Sequence, residues 1–112
     1  MNRNSIMEIL DSCAKVFPPS TKKEQLREWI VVKFQNQQPS ISSTKGGWQY
    51  VDIMCYVDRN SILPLDKLMQ KSKLALKSAG AELTGVETPD FYDSELEAFM
   101  RSFQIRIPKE VN

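Results

Sequence analysis

The chain has 112 residues, enough for one hydrophobic core and too few for two. Fifteen Lys and Arg offset fourteen Asp and Glu, and a net charge of +1 provides no field of one sign to draw the protein onto nucleic acid or an anionic membrane. Histidine is absent, which excludes Ser-His and Cys-His catalysis and His-bound zinc, while hydrophobic and charged shares of 41% and 26% are those of a chain that folds.

Residues 1–10 carry Arg3 and Glu8 among scattered apolar positions, so they lack the core of a signal peptide, and no apolar run nears the ~20 residues of a membrane helix. A soluble, intracellular protein is expected, with Cys13 and Cys55 as reduced, buried thiols. Ser5-Ile6-Met7-Glu8 has the form of a capping box, and Ile6, Ile9, Leu10, Cys13 and Phe17 recur at helical spacing. The pattern predicts a helix from Ile6 to Phe17, closed by Pro18-Pro19. A second capping-box match, Thr21 to Glu24, leads through a charged run and reads as a turn or short helix.

From Trp29 to Phe34 the residues become β-branched and aromatic, predicting a strand with Ile30, Val32 and Phe34 on one face. Asn36 to Gly47 is polar and reads as a long loop. Trp48 to Val57 alternates again, setting Val51, Ile53, Cys55 and Val57 on one face and Trp48, Tyr50, Met54 and Tyr56 on the other. Pro64 opens a second helix, whose inward face is Leu65, Leu68, Met69, Ser72, Ala75, Leu76 and Ala79, with Gly80 as its cap. A short strand from Ala81 to Glu87, interrupted at Gly85, precedes a turn at Thr88-Pro89-Asp90. The last strand runs from Leu96 to Ile107, with Phe99, Phe103, Ile105 and Ile107 on one side. Two helices cannot separate four strands as a parallel α/β unit does. The expected fold is therefore α+β: an antiparallel four-stranded sheet with two helices packed on one face, in a single domain spanning 1–112. The other sheet face, with Trp48, Tyr50 and Tyr56, then lacks cover and reads as a partner surface.

The acidic stretch Glu87, Asp90, Asp93, Glu95 and Glu97 invites a metal or acid-base reading. Pro89-Asp90 begins like a metal-nuclease motif, but neither Glu95 nor Glu97 is followed two residues later by the lysine that chemistry requires, so a solvated acidic turn is expected. The four glycines form no phosphate-binding loop. Lys67, Lys71, Lys73 and Lys77 read as a solvated helix face, and the aromatic residues lack the flanking sequence of an RNA-stacking sheet. The expectation is a protein that is not an enzyme and takes no metal or cofactor.

The run of Trp29-Ile30-Val31-Val32, a polar loop, Trp48-Gln49-Tyr50-Val51-Asp52-Ile53, the Leu63-Pro64-Leu65 helix, Phe91-Tyr92-Asp93-Ser94-Glu95-Leu96 and Phe103-Gln104-Ile105-Arg106-Ile107-Pro108 resembles the tail-terminator and head-tail joining (tail completion) proteins of tailed bacteriophages. The resemblance covers most of the chain. It implies a structural virion protein, assembled in the host cytoplasm, that forms a ring, typically a hexamer, closing the tail tube. Its partners would be further copies of itself, the tail-tube protein and the head connector or stopper protein, with DNA only as passing cargo and no membrane contact. The expected interface comprises Trp48, Tyr50, Met54 and Tyr56 on the sheet, Pro39, Ile41 and Lys45 on the long loop, and Asp90, Phe91 and Tyr92 on a second loop. A monomeric inhibitor or immunity-type module, using the aromatic face on one protein partner, is the alternative.

Overall fold

The computed structural model describes residues 2–19, 26–35 and 47–108. In chain order they form α1 (Arg3–Asp11), β1 (Lys15–Phe17), β2 (Glu28–Phe34), β3 (Trp48–Asp58), α2 (Leu63–Ser78), β4 (Glu82–Glu87), β5 (Phe91–Asp93) and β6 (Ala98–Pro108). The α+β class is as expected, but the four-stranded antiparallel sheet is not. The sheet has six strands in the order β1-β2-β3-β6-β4, with β5 also paired to β6, and it is mixed because β1 runs parallel to β2.

The first difference arises in α1, which ends at Asp11 instead of continuing to Phe17. Its capping box is Asn2 with Ser5, not Ser5 with Glu8: the Asn2 side chain accepts the Ser5 N–H at 2.9 Å, and Ser5 Oγ accepts the Asn2 N–H at 2.8 Å. Beyond Ser12 the chain extends, because Pro18 disfavours helical geometry at Phe17 and because Val16 and Phe17 have better partners on β2. Pairing Val16 with Ile30 and Phe17 with Val31 sends one side chain to each face of the sheet.

The long antiparallel ladder of β3 on β6, from Trp48 opposite Pro108 to Asp58 opposite Ala98, is the spine of the fold. One face of it bears the core: Ile30, Val32, Val51, Ile53, Cys55, Phe103 and Ile105 lie under Ile6 and Leu10 of α1 and Leu65, Leu68, Met69 and Leu76 of α2. Each such aliphatic side chain contributes about 1.5 to 3 kcal/mol of burial. Ile9, expected here, is half-buried, and Ala79, also expected, is the exposed C-cap of α2. Cys55 is buried and Cys13 half-buried, both as free thiols, and burial pushes the Cys55 thiol up to about 12. Gly80 ends α2 at a φ of +100°, which a residue with a Cβ would resist. The outer edge of β6 is shared by β4 and β5 in turn, with a register shift between Leu83 and Glu87, where Gly85 takes a φ of +87°.

Candidate protein interface

The face of the sheet opposite the helices is organised in rows set by strand register. Trp29 of β2 pairs with Tyr56 of β3, Tyr56 with Met100 of β6, and Met100 with Phe91 of β5, making one apolar row across four strands. The adjoining row holds Phe17, Val31, Met54 and Ser102. Next comes a polar row of Lys33, Asp52 and Gln104, in which the Gln35 side chain donates to Asp52 and Thr84 Oγ1 donates to the Gln104 side chain at 2.9 Å. The last rows are Tyr50, Arg106 and Glu82, then Trp48 and Pro108. Strict alternation along β3 therefore does place Trp48, Tyr50, Met54 and Tyr56 on one face. They form two sites, however, divided by polar side chains; Trp48 and Tyr56 stand roughly 26 Å apart along the strand.

At the Tyr56 end the face is partly covered by the chain itself, contrary to the expectation of a bare surface. Trp29 and Tyr56 stack with centroids 5.1 Å apart and planes 4° from parallel, and they are only 1% and 6% exposed. Ala98 completes this second small core, with Phe17, Leu26, Val31, Met54 and Met100 around it. Desolvation raises the Tyr56 phenol above its ordinary pKa, and the nearby Asp93 carboxylate raises it further. What remains open is a hollow of about 410 Å³ whose floor includes Val31 and Met54, with Pro18 and Pro19 and the turn residues Asp93, Glu95 and Leu96 along its rim together with Lys33. Asp93 fixes that turn, its Oδ1 accepting the Glu95 and Leu96 N–H groups at 3.0 Å each, while Glu97 adopts a positive φ of 51°.

At the other end, among the described residues, β3 and β6 run beyond their neighbours: Trp48 opposite Pro108 and Gln49 opposite Ile107 have no described β2 or β4 residue in register with them. On this two-stranded tip Trp48 is 42% and Tyr50 37% exposed. The Arg106 guanidinium lies 4.3 Å from the Trp48 ring centre and donates to Glu82 at 2.6 Å. The bond to Glu82, with a further one to Tyr50, raises the Arg106 pKa. Trp, Tyr and Arg are the residue types that carry most binding energy at protein interfaces.

Asp90, Phe91 and Tyr92, expected to act together on a loop, are separated. Phe91 and Tyr92 belong to β5 and point to opposite faces: Phe91 joins the apolar row, 54% exposed, while Tyr92 turns toward the helix side and meets Phe99 edge-on at 5.1 Å. Asp90 also lies on the helix side, 3.4 Å from Arg101 Nε. Arg101 reaches Asp66 on α2 at 2.7 Å and Glu87 at 3.5 Å, and Glu87 also pairs with Lys73 at 2.8 Å, so Lys73 is not part of the outward lysine face. Glu97 pairs with Arg59. Glu87 and Asp90 thus share Arg101, Glu97 takes Arg59 and Asp93 binds backbone amides, and among the described residues no three acids or cysteines converge as metal ligands. Pro39, Ile41 and Lys45 lie outside the described residues, as does Thr21 to Glu24.

Trp29, Met100 and Arg106 were missed as surface-shaping residues. Their alternation parity is visible in the sequence, but it acquires meaning only through the β2-β3-β6 register. No protein-family model matches the chain, and no curated protein matches it in sequence. No helix among the described residues is long and apolar enough to cross a membrane.

Proposed function

We propose that the chain is a structural ring subunit of a tailed phage or prophage, of the tail-terminator or head-tail joining type, in which the open sheet face is the contact surface. The observation that carries the reading is the division of that face into a projecting Trp48-Tyr50-Arg106 tip at one end and an apolar hollow at the other. A ring subunit that joins its own copies and also grips a second protein needs more than one such surface, whereas a module with one partner needs one. The resemblance of the sequence pattern supplies the biological setting: a ring, typically of six copies, between tail-tube protein and head connector. The ion pairs Arg59–Glu97, Lys73–Glu87, Arg101–Asp66 and Arg106–Glu82 hold strands and turns in place and so suit a structural role.

Size-exclusion chromatography with light scattering tests the proposal. A closed oligomer of fixed mass, formed alone or on addition of tail-tube protein, is the expected outcome. A monomer at every concentration that binds one discrete protein tightly would replace the ring with the inhibitor-like reading.

A further inference from the structure

Resting on the ring reading, one pair of surfaces in this chain fits a contact between copies. On α2 the buried stripe is Leu65, Leu68, Met69, Ser72 and Leu76, which leaves Leu74 on the outward side, 66% exposed. Lys71 and Lys77 stand one turn to either side of it and Lys67 one turn further, and none of the three makes an ion pair among the described residues. This is an apolar knob set in positive charge. The hollow on the opposite face of the sheet is its complement: an apolar floor with Met54 and Val31, and a rim on which Glu95 is exposed and Asp93 commits only Oδ1 to the turn. Lys33 occupies another part of the rim, so positive charge on that side repels the lysines and sets the direction in which α2 can lie.

The geometry points to Leu74 of one copy seated in the Met54 hollow of the next, with Lys71 and Lys77 against Asp93 and Glu95. Knob and hollow are on opposite faces of a molecule whose smallest extent is 24 Å, so a single two-fold contact cannot satisfy both. The contact is heterologous, and repeated contacts of this kind close into a ring when the rotation between copies allows it. The projecting Trp48 tip takes no part and stays available to a different protein.

The test uses the full chain in two variants, Leu74→Glu, which removes the knob, and Glu95→Lys with Leu96→Lys, which removes the rim. All three positions are exposed, and circular dichroism confirms folding before assembly is measured by native mass spectrometry. Wild-type protein should form higher oligomers, each variant alone should be monomeric, and the mixture should give a one-to-one heterodimer and nothing larger, because only one intact knob and one intact hollow remain. Should a variant fail to fold, Lys71→Glu and Glu95→Lys alone replace the pair. Variants that assemble like wild type, or a mixture without heterodimer, overturn this contact while leaving a ring built elsewhere. A wild-type chain that is monomeric throughout removes the ring and this contact together.

Discussion

The buried side chains beneath the helices set the stability of the whole, and two of them report it separately. Leu68 is 0% and Phe103 2% exposed, so Leu68→Ala or Phe103→Ala should lower the unfolding free energy by ~2 to 5 kcal/mol, measured by urea titration. A loss below about 1 kcal/mol at both would mean that the buried and open faces are reversed. Cys55 adds a pH dependence of known sign. Its thiol titrates near 9.0 when unfolded and at about 12 when folded, so the native state holds a proton that the unfolded chain has lost. The thiol leaves stability unchanged below 9.0 and lowers it as pH rises across that window; the raised Tyr56 phenol acts in the same direction above 10.0. Cys55→Ala should therefore show a shallower alkaline decline than wild type. Parallel curves would contradict the assigned burial of the thiol. Which aromatic residues stay exposed was legible only in part: the parity of Trp48, Tyr50, Met54 and Tyr56 follows from alternation, but the burial of Tyr56 depends on Trp29 arriving opposite it from a strand on the far side of residues 36–46.

Elements with long, strict patterns are legible in the sequence, as is the six-residue β4, whereas the three-residue strands β1 and β5, which depend on distant pairing, are not. β3 and β6 show unbroken alternation over most of their length, and α2 has a start signal at Pro64 and a stop at Gly80, so each was recognisable alone. β1 is three residues long, too short to show a period, and Cys13 and Phe17 fit a helical template as well as an extended one. Its state is decided by parallel pairing with β2 and by Pro18, which restricts Phe17 to extended geometry. β5 is equally short and gains its partner only when β6 folds back past the turn at Ser94 to Glu97. Gly80 offers an element-scale check. A Cβ there would touch nothing within 4 Å, so the cost of Gly80→Ala is conformational, about 1 to 2 kcal/mol, and should appear in thermal unfolding without any change in assembly state. A neutral substitution would show that α2 ends differently.

For the whole molecule, the decisive feature is that the helices cover one side of the sheet and the described residues cover only part of the other. The apolar row from Trp29 to Phe91 and the Arg106-Trp48 tip lie at opposite ends of that second side, with hydrogen-bonded polar residues between them. Replacing Trp48 and Tyr50 with Ala should leave folding intact, since both are exposed; under the proposed ring role it should also abolish binding at the tip, read in a pull-down with tail-tube and connector proteins. Unchanged binding to both would exclude the tip as a contact. The proposed role as a whole is tested most directly by electron microscopy of phage particles assembled with and without this chain. Without it, filled heads and tail tubes should accumulate separately, and adding back the purified protein should join them. Complete, infectious particles formed at normal yield in its absence would contradict the account.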